Sequence, residues 1–100
     1  MKVLITAATS AAAHKLKNSL GNAEILLGDF ADLPAFMRNN IIKLPDPASD
    51  TYAHQMLTLS LDNEIERLYA MLPAEAGTLL KSQQLFSEYN IEIVDGSANL

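Results

Sequence analysis

The first twenty residues, MKVLITAATSAAAHKLKNSL, restrict the fold more than any other stretch of the chain. Val3-Leu4-Ile5 is a continuous apolar run, not an alternating one. Such a strand expects burial on both faces, the habit of a central strand in a parallel sheet. Thr6 to Ser10 is small and polar, and a helical pattern begins at Ala11. Ser10 stands where an N-cap hydroxyl accepts from a free N–H of the first turn. Ala12, Ala13, Leu16 and Leu20 share one helical face, with Lys15, Lys17 and Asn18 outside it. Gly21 follows the last periodic residue, where a left-handed C-cap favours glycine.

The alternation continues. Glu24–Leu27 reads as a second strand closing on Gly28-Asp29. Phe30–Asn39 reads as a short helix or turn with Asp32 as cap and Pro34 in its first turn. Ile41–Leu44 is a third strand, stopped by the rigid Pro45-Asp46-Pro47 loop. Ser49-Asp50 is expected to cap a helix with Ala53, Met56, Leu57 and Ser60-Leu61 on its apolar face, running to about Asn63. Ile65–Leu72 is a fourth strand, ended by Pro73. Glu75–Asn90 reads as one last helix, with Leu79, Leu80, Phe86 and Tyr89 on a broad face and Asn90 at its C-terminus. Ile91–Val94 is a fifth strand, Asp95-Gly96-Ser97 a turn, and residues 98–100 a frayed tail. The pattern predicts an α/β fold: a three-layer, Rossmann-like open parallel sheet of about five strands, order 3-2-1-4-5, with helices on both faces.

One hundred residues suit a single domain spanning 1–100. A hydrophobic content of 49% is enough for a well-covered sheet. The net charge of −5 and the lack of a basic stripe with interleaved aromatics exclude nucleic acid and anionic membranes as expected partners. No apolar run approaches the roughly 18 residues of a membrane span. The opening stretch does not read as a signal peptide. The absence of cysteine removes disulfides, thiolate metal sites and a cysteine nucleophile, and fits a cytoplasmic location.

In an open parallel sheet the ligand crevice lies beyond the carboxyl ends of the strands. Here those ends are Thr6 to Ser10, Asp29, Asp46, Pro73 to Glu75 and Asp95 to Ser97. A strand feeding a helix N-terminus is an anion site, so Thr6, Thr9, Ser10 and Ala11 are candidate ligand contacts. The turn resembles the TGxxxGxG turn of short-chain dehydrogenases with every glycine replaced by alanine. Each added methyl obstructs close approach, and a plain corner without a ligand is the competing expectation. Asp29 stands where dinucleotide folds place a ribose-binding acid, or is simply a carboxylate at a strand end. The acids could gather as an Mg²⁺-binding rim, though no metal site is expected. His14 and His54 lack ligand spacing and are expected to be exposed. No catalytic residue is expected. Thr9 and Ser10 have no positioned base or elbow glycine. Tyr52 and Tyr69 lack the lysine four residues on that the dehydrogenase pair requires. The missing cysteine and the missing acidic pair after the first strand also reject a phosphoryl-transfer IIB domain and a response-regulator receiver.

Taken in order, the motifs resemble the preATP-grasp domain, the Rossmann-like N-terminal domain of the ATP-grasp superfamily. They are the VLIT first strand, Gly28-Asp29, the Leu44-Pro45-Asp46 to Asp50-Thr51-Tyr52 segment, Met71-Leu72-Pro73-Ala74-Glu75, and Gln84-Leu85-Phe86-Ser87-Glu88-Tyr89-Asn90-Ile91. The resemblance covers nearly the whole chain, and it places Glu75 facing the substrate cleft. The alternative for Glu75 is a charge that complements its helix dipole. The first-turn glycines of the family are missing, and the ATP-binding domains lie beyond these hundred residues. The resemblance therefore implies a stand-alone, non-catalytic interaction or ligand-sensing module. The expected partners are a separately encoded ATP-grasp protein and a second copy joined through an exposed edge strand. The alternative is a nucleotide-binding module using the first helix N-terminus and Asp29. No cofactor is required, and an ATP- or NAD-type nucleotide is the class the corner would take.

Overall fold

The computed structural model describes residues 2–21, 24–31 and 41–96. Its elements in chain order are β1 (Lys2–Ile5), α1 (Ala11–Leu20), β2 (Glu24–Asp29), β3 (Ile41–Lys43), α2 (Tyr52–Asp62), β4 (Arg67–Ala70), α3 (Pro73–Leu80), α4 (Gln83–Ser87) and β5 (Glu92–Asp95). The strands form one sheet in the order β3-β2-β1-β4-β5, and every pairing is parallel. The predicted topology is the observed one.

β1 lies at the centre, with Leu4 between Leu26 and Leu68. Val3, Leu4 and Ile5 are buried, as their unbroken run requires. Alternation along the strands separates two cores. Val3, Ile5, Leu27 and Tyr69 pack with Ala13 of α1 on one side. Leu4, Leu68, Ala70 and Ile93 pack with α2, α3 and α4 residues on the other, including Tyr52, Met56, Leu79 and Phe86. The sheet is thus the middle of three layers.

The N-terminal signal at α1 holds: Ser10 Oγ accepts from Ala13 N at 3.1 Å. Gly21 follows the helix with the positive φ of 53° that favours glycine, but its ψ of −79° lies outside the left-handed helical region expected of the C-cap. Asn90 takes φ of 62° behind α4, as expected of a helix-terminal asparagine.

Other boundaries move. The cap of α2 is Thr51, not Ser49-Asp50, and its side chain makes no capping bond. Ser49 Oγ instead accepts from Thr51 N at 3.3 Å, which stabilises the turn before the helix. Leu61 is exposed, and Tyr52 takes an inward place at the other end of α2. The fourth strand contracts because Ile65 N turns back to Ser60 O at 2.8 Å, while Leu72 becomes the N-cap of α3.

The single helix expected over Glu75–Asn90 is two. Ser82 N bonds back to Leu79 O at 2.9 Å, a turn that ends α3, and Ser82 then caps α4. The break carries Phe86 into the core and leaves Leu80 and Tyr89 exposed. Apart from Phe86's place, a continuous i, i+3, i+4 pattern cannot register such a reset. The expected features at Asp32 and Pro34, and the tail from Ser97 on, lie outside the described residues.

Candidate functional site

Three strand ends meet around Thr6. Thr6 N donates to Tyr69 O at 3.1 Å, and Thr6 Oγ1 accepts from Met71 N at 2.9 Å. This ties the end of β1 to the chain leaving β4, and Thr6 is fully buried. The turn that follows is closed by its own backbone. Ala8 N donates to Gly28 O at 3.0 Å and Ser10 N to Ala7 O at 2.9 Å. Ala7 holds φ of 51°, a left-handed conformation that favours glycine.

Asp29 closes the corner from β2. Its Oδ2 accepts from Thr9 Oγ1 at 3.1 Å and from Thr9 N at 3.4 Å. Its Oδ1 accepts from Ala31 N at 3.0 Å. Both carboxylate oxygens are engaged, and the residue is 5% exposed. The carboxylate thus takes the Thr9 N–H that a glycine-rich turn would present to a phosphate, and it adds a negative charge beside that position. Among the described residues, the N–H groups of Ala11 and Ala12 make no hydrogen bond at the start of α1.

Glu75 is the third residue of α3 and is fully buried. A surface charge complementing the dipole would be exposed. The Tyr52 hydroxyl, also fully buried, donates to Glu75 Oε2 at 3.3 Å. Oε1 is buried and has no hydrogen-bond partner among the described residues. Burial pushes the Glu75 carboxyl above the ordinary carboxylate range; the hydroxyls of Thr6 and Tyr52 and the Leu72 N–H pull it back, and the charge of Asp29 raises it again. Burial, then the Glu75 charge and hydrogen bond, likewise push the Tyr52 phenol well above its usual range. Both shifts favour the neutral form of the group concerned.

The candidate residues divide accordingly. Thr6, Asp29 and Glu75 converge in the buried floor; Thr9 and Ala11 are exposed, and Ser10 is half-buried. The acidic rim does not form. Asp46 is exposed on its loop, where Oδ1 accepts from Ala48 N at 2.9 Å. Asp95 is half-buried at the end of β5. Among the described residues no group of three or more His, Cys, Asp or Glu side chains could hold a metal ion. His14 and His54 are exposed. In the sequence Tyr52 stood only in the segment of the family resemblance and as a tyrosine without the dehydrogenase lysine; its place at the first position of α2, after Ser49-Asp50-Thr51, is the signal of an inward-facing ring.

No family model and no curated protein matches the chain. Solved structures do. Glycinamide-RNase-transformylase T from Mycobacterium tuberculosis superposes with a TM-score of 0.60 at 13% identity over 93% of this chain. A mutated uronate dehydrogenase superposes with a TM-score of 0.54 at 17% identity over 86% of the chain. Both likenesses are of fold: a Rossmann-like, open parallel sheet. The chain spans 28% of the first of those chains and 36% of the second. Among the described residues no helix is long and apolar enough to cross a membrane.

Proposed function

We propose that the chain is a non-catalytic interaction or ligand-sensing module that works at the carboxyl edge of its sheet without gripping a nucleotide phosphate at the first turn. The observation that carries the reading is the engagement of Thr9 by Asp29. A phosphate arriving at that turn would have to displace a carboxylate already bonded to Thr9. The exposed Thr9 and Ala11, with Ser10, are the surface offered to a ligand, and Asp29 and Glu75 support it from behind. The partner in this reading is an ATP-grasp protein, or a second copy through the β3 or β5 edge. A cytoplasmic location belongs to the same reading, and a chain without disulfides suits it.

The second reading is a nucleotide-binding module, favoured by the unbonded Ala11 and Ala12 N–H groups at the start of α1. A thermal-shift panel with ATP, ADP, NAD and NADP, each with and without Mg²⁺, separates the two. A ligand of the folded state at about 100 times its Kd adds about 2.7 kcal/mol, which moves the midpoint of a domain this size by about 10 °C. The first reading expects a flat panel and co-purification of an ATP-grasp protein from native extract. A clear shift with one nucleotide, abolished by Asp29→Ala, establishes the second.

A further inference from the structure

A groove of about 350 Å³ runs between α1 and the β4–β5 half of the sheet, away from the Asp29–Glu75 corner. Its origin is topological. The described helices α2, α3 and α4 all pack on the opposite face, so α1 is the only described helix on this one. It leans on the sheet through Ala13, Leu16 and Leu20, and beside it the largely buried Tyr69 and Met71 form the floor of the groove.

The walls are apolar: Ala12 and Leu16 from α1, the Tyr69 ring and Met71 from the sheet side. Gly96 closes one end, where any side chain would strike the sulfur of Met71. The polar groups are few and unequal. Ser19 already donates its hydroxyl proton to Leu16 O at 2.8 Å. Arg67, next to the groove, is committed: Nη2 pairs with Glu92 at 3.1 Å and Nη1 donates to the Tyr69 hydroxyl at 3.3 Å. The Tyr69 oxygen therefore acts as acceptor, and its own proton has no acceptor among the described residues. Lys15 is exposed on the groove wall, with no ion-pair partner among the described residues. In a chain of net charge −5, α1 carries Lys15 and Lys17 and no acid.

We propose that this groove binds a small amphipathic monocarboxylate, its apolar body against Leu16, Tyr69 and Met71 and its carboxylate paired with Lys15. The volume lies at the small end of ligand sites, where a mostly apolar lining with a few polar anchors is the rule. Charge selects the class. One unpaired ammonium balances one carboxylate, whereas the phosphates of a nucleotide ask for several cations or a row of free N–H groups. A second copy of the chain would bring its own Lys15 to the same face, and like charges oppose that packing.

The test is a titration of the full chain with 4-phenylbutyrate, followed by ¹H–¹⁵N correlation spectra, with 4-phenylbutanamide as the uncharged control. Shifts are expected at the amides of Lys15, Leu16, Ser19, Tyr69 and Gly96. Lys15→Gln and the uncharged control should each weaken binding about fivefold, the worth of about 1 kcal/mol in a partly exposed ion pair. Ala12→Leu, which fills the groove, should abolish the shifts while the spectrum stays dispersed. No shift at millimolar probe, shifts elsewhere, or an affinity indifferent to Lys15→Gln overturns the proposal. Concentration-dependent broadening of the same amides without any probe overturns it in favour of a dimer face.

Discussion

The Tyr52 hydroxyl donates to Glu75 Oε2 at 3.3 Å, and both side chains are fully buried although they belong to different helices. The other oxygen of Glu75 has no hydrogen-bond partner among the described residues. Burial is the largest influence on this carboxyl and outweighs the hydrogen-bond donors around it, so the folded state holds the carboxyl proton more tightly than the unfolded chain does. The folded value lies above the ordinary 4.5, so the group's contribution is fully present below that pH and is lost as pH rises through the folded value. Glu75→Gln keeps the shape and cannot ionise. It should be more stable than the parent at pH 8, and the gap should shrink towards pH 5. Urea denaturation of both chains across pH 5–8 reads the gap directly; one that does not change with pH removes Glu75 as its source.

Tyr52→Phe tests the same contact from the other side. It removes the donor and leaves both oxygens of Glu75 without it, a loss of about 1–3 kcal/mol for an unsatisfied buried group. The Tyr52 hydrogen bond lowers the Glu75 value, so its removal should extend the pH-dependent loss to higher pH. In the Glu75→Leu background the same substitution should cost less, since no carboxylate remains to be stranded. A double-mutant cycle by urea denaturation measures that coupling; additive costs would show that the two side chains act independently.

The sheet order and the two ends of α1 were legible in the sequence because they rest on local signals. The apolar run at Val3–Ile5, the hydroxyl of Ser10 and the glycine at 21 each act within a few residues. Glu75 and Asp29 were legible as positions but not as environments. The burial of Glu75 depends on Tyr52, 23 residues away, and on the path of α2 across the sheet. The engagement of Asp29 depends on Thr9, 20 residues away. The break between α3 and α4 escaped for another reason. Leu79 and Phe86 are seven residues apart, a spacing that one continuous helix satisfies equally well.

Asp29 is predicted to act first as a structural tie. Asp29→Asn keeps the shape but turns one acceptor oxygen into a donor facing an N–H or hydroxyl donor. A hydrogen bond to a charged group is worth about 1.5–3 kcal/mol. A loss of about 2 kcal/mol is expected, with slow exchange lost first at the Thr9 and Ala31 amides. Hydrogen exchange at those amides checks it; unchanged protection would mean that the carboxylate does not hold the corner closed.

Gly28 is required for space. A methyl at this position would lie 2.7–2.9 Å from three carbons of Leu44, itself 1% exposed. Overpacking of this kind costs about 1–3 kcal/mol. Gly28→Ala should fall in that range by thermal or chemical denaturation. Pairing it with Leu44→Ala should recover part of the loss, because the added methyl then occupies volume that the leucine vacates.

Ala7 carries the first turn's conformational demand without the residue that suits it best. At φ of 51° an L-residue gives up about 1–2 kcal/mol relative to an ordinary backbone region. Glycine would relieve that, but it adds about 0.4–1 kcal/mol of unfolded-state entropy. It also removes a methyl that is buried in the core beneath α1, worth about 0.8 kcal/mol. The three contributions nearly cancel, so Ala7→Gly should stay within about 1 kcal/mol of the parent. A β-branched side chain has no such compensation, and Ala7→Val should lose about 2 kcal/mol or more. Ala8 is equally buried but lies outside the positive-φ region, so Ala8→Gly gains no relief and should lose stability clearly. Chemical denaturation of the three variants gives the order Ala7→Gly, Ala8→Gly, Ala7→Val from most to least stable. An Ala7→Gly chain that is the least stable of the set would show that the turn does not demand a left-handed residue at position 7.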